Sequence, residues 1–553
     1  MAKVELRGAR LSRRELVASF LGAAVASACR REKALPRELP GEIVDRAWET
    51  GHLLRGGPLP ISSEPPRPID VLVVGGGAAG LSAAWRLRGA GVEALLVCEL
   101  DSEVGGTSRS GRNAISAFPW GAHYLPAPLD ARGPVPRMLK ELGCVTGVEE
   151  DGRPRILEEV LVRDPEERHF YKGLWYEGLY LRAGASEADL AELDRFEAQM
   201  DALSAARDGK DRKAFAVPTY RSSDDAEWTR LDAFSMADWL REQGYRSQRL
   251  RWMVDYACRD DFGTTAEHVS AWAGLWYFCA RQDGARHHSE GFLSWPEGNG
   301  RLIRHLSESV GPGRLRAGVL VHTVTPLPDA VRVDALEAST KRPMSFLARQ
   351  VVLACPRFVA ARVVAPWRTQ PPDFLAAFQY GPWVVANLSL TEAPTSRGFP
   401  LAWDNVLYES QSLGYVVATH QRPVALEHGA TVFTWYYPLA GADVVKERER
   451  ALSLRYDDWA SLVMSDLVPA HLGLRERATR LDVMRWGHAM VRPRPGFVWG
   501  GARQKAAESL GPRLHFAHSD LGGLAVFEEA NAFGVRAAER ALVGLGRKVD
   551  SWL

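Results

Sequence analysis

The stretch Ile69–Glu99, IDVLVVGGGAAGLSAAWRLRGAGVEALLVCE, constrains the chain more than any other. An apolar run, Val71 to Val74, ends in glycines at 75, 76 and 77, with another at Gly80, and a helical stretch then leads to a second apolar run closing on Glu99. Strand, tight turn, helix and strand in that order form the opening unit of a dinucleotide-binding sheet. Gly75 permits a turn that a Cβ would obstruct. Gly77 lets the backbone approach a pyrophosphate, and Gly80 lets the helix lie close on the strand. Ala78 and Ala79 open a helix whose free N–H groups and positive dipole end favour an anion. Glu99, roughly twenty residues on, is placed to accept hydrogen bonds from a ribose.

A chain of 553 residues has room for two or three domains, or one large enzyme with a divided second domain. The net charge of +1 gives no field to steer nucleic acid. The six cysteines, at 29, 98, 144, 258, 279 and 355, form no C-x-x-C pair and no metal-ligand spacing. Neither a disulfide framework nor a metal site is expected. Cys98, Cys258, Cys279 and Cys355 sit in apolar runs and read as buried.

Residues 1–29 read as a signal peptide. Ser12-Arg13-Arg14 precedes an apolar stretch, Leu16 to Ala28, that is too short to span a membrane. The paired arginines resemble a twin-arginine export signal, and Cys29 after small residues resembles a bacterial lipoprotein processing site. That resemblance implies a protein exported to the periplasmic side of a bacterial membrane and anchored there through a lipid on Cys29. An amphipathic N-terminal helix with a buried cysteine is the alternative. Residues 30–67, with prolines at 36, 40, 58, 60, 65 and 66, read as a tether.

Three segments in order, VGGGAAG, VCELDSEVGGTSRSG and FPWGAHY, resemble the flavin-containing amine oxidase superfamily, which includes protoporphyrinogen oxidases and carotenoid desaturases. The resemblance implies FAD as cofactor. It brings Gly105, Gly106, Thr107 and Ser108 to the ribityl and pyrophosphate portion, and Gly121, Ala122 and His123 to the isoalloxazine. The family usually has arginine where this chain has Thr107; Arg109 is a nearby charge.

With residues 68–129 as its first part, the FAD-binding domain returns at 295–360 and 505–545. The fold class is α/β, a Rossmann-like FAD-binding domain with an interleaved substrate domain of mixed sheet and helices. Residues 130–294 read mainly as helices roofing a substrate cavity. Ser186–Asp189 and Ser235–Asp238 are capping-box patterns, and Ser270–Ala280 is apolar on nearly all sides. WPEGNGRLIRHLSE, at 295–308, resembles the family's glycine turn before the return, and Val321 is placed like the valine that presents its backbone to adenine. In 361–504, WVVANLSL and TVFTWYYPL read as strands lining the cavity, and Ala442 to Met464 as one solvated helix. Trp486 and Phe497 resemble a tryptophan and a flavin-facing aromatic. The closing motif, LHFAHSDLGGLAVFEEANAFGVRAAERAL, resembles the last FAD segment. There Asp520 meets the ribityl–pyrophosphate region, and a helix beginning near Glu529 and Ala530 aims its N-terminus at the flavin C2 carbonyl.

The resemblance implies an FAD-dependent oxidoreductase taking hydride from an amine, or from a CH–NH or CH–CH bond, of a small-molecule substrate. Two family features are missing or incomplete. Pro382–Asn387 contains no lysine to hold a water at flavin N5, and the second ring of an aromatic pair falls at Val526 or Phe527. A desaturase-like or porphyrinogen-oxidase-like activity on a larger apolar substrate is the runner-up, and a non-catalytic flavin-bound accessory protein is the reading from another class. A cavity with carboxylates favours polyamines, an apolar one the desaturase, and a filled one the accessory protein. His123 is the first histidine to test for catalysis, against a purely structural role; His287-His288 reads as a loop pair.

Overall fold

The computed structural model describes residues 39–45, 47–281, 291–421 and 429–553. The export signal with Cys29, and the pair His287-His288, lie outside them. The body from Gly41 to Leu553 is built on two large sheets.

The first sheet is the nucleotide-binding one, with seven strands. Arg67–Val74 lies between Leu95–Cys98 and Pro343–Leu353, parallel to both. The first half of Pro343–Leu353 pairs antiparallel with Val331–Glu337, and its last residues pair parallel with Leu514–Phe516. Val71, Leu72 and Val73 are fully buried, as a central parallel strand covered on both faces requires. The helix Ala78–Gly89 packs on this sheet against the closing helix Phe527–Gly544. Small residues set their separation: a Cβ on Gly534 would lie 2.3 Å from the Ala79 carbonyl oxygen.

The second sheet has eight strands, in the order Gly41–Ile43, Ala478–Val491, Tyr380–Leu390, Thr431–Pro438, Gly414–Val417, Asp404–Leu407, Glu167–Tyr171 and Leu174–Glu177. Tyr380–Leu390 and Thr431–Pro438 are buried along their whole length, matching their β-branched and aromatic content. Helices Glu187–Ala205, Met236–Glu242, Gln248–Phe262 and Ala271–Cys279 share one core with Tyr380 and Phe497. Both capping boxes form as the sequence predicts, at Ser186 and Ser235. The five cysteines among the described residues are free and buried.

Three expectations need correction. Residues 130–177 contain strands as well as helix, including Glu167–Tyr171 and Leu174–Glu177, which complete the second sheet. The helix expected over 442–464 is two, Val444–Ser453 and Tyr456–Leu467, with a cap at the break where Arg455 N–H donates to Asp458 Oδ2 at 2.9 Å. Residues 41–67 are more than a tether, since Gly41–Ile43 pairs parallel with Leu481–Val483 at the sheet edge. Among the described residues no helix is long and apolar enough to cross a membrane.

Candidate active site

The first glycine turn forms one wall of a cleft of about 1390 Å3. Gly75 has φ of 102°, and a Cβ there would lie 2.5 Å from the Ala354 carbonyl oxygen. At Gly80 a Cβ would lie 1.9 Å from the Gly75 carbonyl oxygen, so only glycine lets the helix sit this close to the strand end. The helix's first internal bond runs from Leu81 N–H to Gly77 C=O at 3.0 Å, so the earlier first-turn amides lie free at its end, where Ala78 and Ala79 line the cleft.

The second glycine turn lies beside the first, with Gly105 N–H donating to Gly76 C=O at 2.8 Å. Gly105, Gly106, Thr107 and Ser108 all line the cleft, as do Gly75, Gly77 and Val321. Glu99 also lines it. Its carboxylate accepts from Gly76 N–H at 2.7 Å and Asp101 N–H at 2.9 Å, which fixes its direction, while burial raises its pKa above the usual range. A cleft of this size exceeds the usual ~300–1,000 Å3 of small-ligand pockets and suits an extended dinucleotide. The glycine cradle, the open helix end and the oriented carboxylate fit FAD.

Trp486 lines the same cleft, and its indole N–H donates to the Trp120 carbonyl at 2.6 Å. Other assigned residues lie elsewhere. Asp520 is buried and turned inward: it accepts from the Tyr380 hydroxyl at 2.5 Å and from Arg357 N–H at 3.0 Å. Burial would raise its pKa, but His518, Tyr380 and Arg357 hold it below the usual carboxylate range. Glu529 is fully buried and accepts from the backbone N–H and hydroxyl of Thr219, with burial raising its pKa to about 7. Its neighbour Ala530 does reach the cleft. Phe497 packs edge-on against Phe378 at 5.1 Å in the helical core and does not line the cleft.

Gly121, Ala122 and His123 form a wall rather than a cleft surface. A Cβ on Gly121 would lie 2.2 Å from the Thr107 carbonyl oxygen, and Ala122 N–H donates to that oxygen at 3.0 Å. Thr107 faces the cleft, whereas His123 faces a second cavity of about 60 Å3. This chamber is aromatic and acidic. Around His123 stand Tyr436 at 4.8 Å, Tyr124 at 5.0 Å and Trp403 at 5.4 Å between ring centroids. The Tyr436 hydroxyl donates to the Gly121 carbonyl at 2.9 Å, tying the chamber to the wall.

Glu166, Glu167, Asp260 and Asp404 also line the chamber. Burial, then neighbouring carboxylates, push Glu167 up to about 8 and Asp260 to about 7, and raise Asp404 well above the usual range. Arg281 pairs next door with Asp261 at 3.2 Å. Among the described residues no ion pair reaches Glu167, Asp260 or Asp404. Burial pushes His123 down to about 3, so it is neutral and too weak a base to take a proton near pH 7. The chamber escaped sequence reading because its acids come from three distant segments, each ordinary by itself.

The family model for flavin containing amine oxidoreductase matches residues 78–542. No curated protein matches the chain. Among solved structures, a double mutant of putrescine oxidase is 17% identical with a TM-score of 0.64, covering 87% of this chain and 100% of that chain. Cyclohexylamine oxidase from Brevibacterium oxydans is 16% identical with a TM-score of 0.62, covering 87% of this chain and 100% of that chain. A putative protoporphyrinogen oxidase from Exiguobacterium is 14% identical with a TM-score of 0.57, covering 88% of this chain and 100% of that chain. These likenesses are of fold. With the match running from the helix after the first glycine turn to the closing helix, the chain belongs to the flavin-containing amine oxidoreductase family and is an FAD-dependent oxidoreductase.

Proposed function

We propose that the protein oxidises an amine carrying a second positive charge, a diamine or polyamine. The observation that supports this is the chamber behind His123, where Glu167, Asp260 and Asp404 stand among aromatic rings and, among the described residues, form no ion pair. Buried carboxylates in this state are costly unless a cation or protons neutralise them. A cationic ammonium supplies that charge, and the faces of Tyr436 and Trp403 add cation–π attraction. The volume of about 60 Å3 suits an ammonium head rather than a whole substrate. An apolar polyene would leave the carboxylates unanswered.

In this reading Glu99 binds the ribose, and the backbone at 77–79 and 105–108 lies along the diphosphate. Val321 presents its backbone to adenine. Bound flavin supplies the two-electron oxidant for a C–H beside nitrogen. The chain's own residues hold the distal ammonium, fix the Gly121–His123 wall through Tyr436, and exclude water from the chamber. We infer also that the protein is exported and lipid-anchored through Cys29; Cys29→Ser is then expected to leave the precursor unprocessed or release it from the membrane.

Anaerobic bleaching of the enzyme's flavin tests the substrate class. Diamines and polyamines are expected to bleach it faster than monoamines of equal length. Bleaching by polyenes or porphyrinogens, with amines inert, would overturn the reading.

A further inference from the structure

Ahead of the first glycine turn, and outside the residues that the family model matches, a further segment lines the cofactor cleft. At one end Gly41–Ile43 pairs with Leu481–Val483 of the second sheet, and Val44 N–H donates to Val483 C=O at 2.9 Å. Asp45 forms a buried ion pair with Arg485 at 3.1 Å, and both line the cleft. At the other end Leu54 packs on the core of the nucleotide-binding sheet. Between these anchors Trp48, His52 and Leu53 line the cleft, and Arg55 and Pro58 line it just beyond Leu54.

Three guanidinium groups gather on the part of the cleft that this segment lines: Arg55 joins Arg362 and Arg448 there, beside the imidazoles of His52 and His488. The acids there are otherwise engaged or unpaired with them: Asp45 is on Arg485, Glu99 is held by two backbone amides, and among the described residues no ion pair joins Glu449 to these cations. Charge repulsion registers in the group, since burial, then Arg448, Arg55 and His52, push His488 down to about 3. Like charges gathered on one wall of a cleft call for an anion.

We propose that residues 41–45 and 47–60 belong to a strap that retains FAD, closing over the seated dinucleotide and adding Arg55 to the groups that neutralise its diphosphate. The proposal rests on FAD occupying the cleft and goes beyond it by assigning cofactor retention to a segment that the family model does not match. A three-residue strand pairing, the ion pairs Glu42–Arg480 and Asp45–Arg485, and the side chains of Val44 and Leu54 hold less than a core element does, so the strap opens without global unfolding. Its opening then sets how fast FAD leaves.

The test is the FAD release rate of holoprotein, followed by flavin fluorescence after dilution. Gly41→Val places side-chain atoms where a Cβ already lies 1.6 Å from the Leu481 carbonyl oxygen, so it unseats the strand. Gly41→Val and Asp45→Asn are each expected to speed release at least tenfold while the folded circular-dichroism spectrum persists. Arg55→Ala is expected to speed release several-fold and to weaken its salt dependence, with Arg55→Lys restoring both; a merely structural Arg55 would not move the salt dependence. Tryptic cleavage after Arg55 should be faster in apoprotein than in holoprotein. Wild-type protein that holds FAD, with every variant releasing it at the wild-type rate, would overturn the strap. A wild type that takes up no FAD would instead overturn the cofactor assignment beneath it.

Discussion

Glu99 and Glu529 show how differently two buried glutamates can be used. Glu99 is aimed by two backbone amides at the cleft surface, whereas Glu529 is consumed by Thr219 inside the protein. Glu99→Ala is therefore expected to weaken FAD binding about 10- to 100-fold, the worth of one or two hydrogen bonds to a charged group. Equilibrium titration of apoprotein with FAD checks it, with folding unchanged. The chamber carboxylates carry a pH signature. With Glu167 near 8 and Asp260 near 7, the folded state binds protons that the unfolded state has already released above about 4.5. Apoprotein stability should accordingly fall as pH rises from 5 to 8 and level off above that, since raised carboxylates favour the protonated side. Binding of a cationic amine runs the other way, because it needs those acids ionised. KM is expected to fall as pH rises from 6 to 8, and Glu167→Gln to flatten both profiles. Denaturant melts and steady-state kinetics across that range measure the two slopes.

Elements with a local signal were the legible ones. Ser235 and Asp238 are three residues apart, and their reciprocal bonds form within one helical turn. Ser235→Ala should cost about 1 kcal/mol, read in a denaturant melt. The glycine turns and the strand–helix–strand opening were readable for the same reason. What escaped reading depended on partners distant in the chain. Asp520 and Glu529 sit in a motif that resembles a cofactor segment, but Tyr380 and Thr219 take up their carboxylates. Phe497 had a suitable spacing from Trp486, but the helical core claims its ring. The proline-rich approach concealed a strand whose three residues gain meaning only beside Leu481–Val483. Between the two cleft-facing helices the contact is steric: Gly534→Leu puts bulk against Ala79 and Ser82, so loss of FAD and a lowered melting temperature should appear together.

For the molecule as a whole, the purified protein should be yellow, and added FAD should raise the melting temperature of apoprotein by a few degrees, since a ligand at 100 times its Kd contributes about 2.7 kcal/mol. The nucleotide-binding sheet takes strands from residues 67–98, 315–353 and 514–516, and the helix Phe527–Gly544 closes over the first glycine turn's helix. This arrangement has a consequence during synthesis. Translation at about 5–20 residues per second leaves tens of seconds between the emergence of Arg67–Val74 and that of its last sheet-mates. Throughout that interval a row of aliphatic side chains waits on the ribosome with no second layer to shield it. Stop codons placed even thirty residues early should therefore yield insoluble chaperone clients rather than a shortened enzyme.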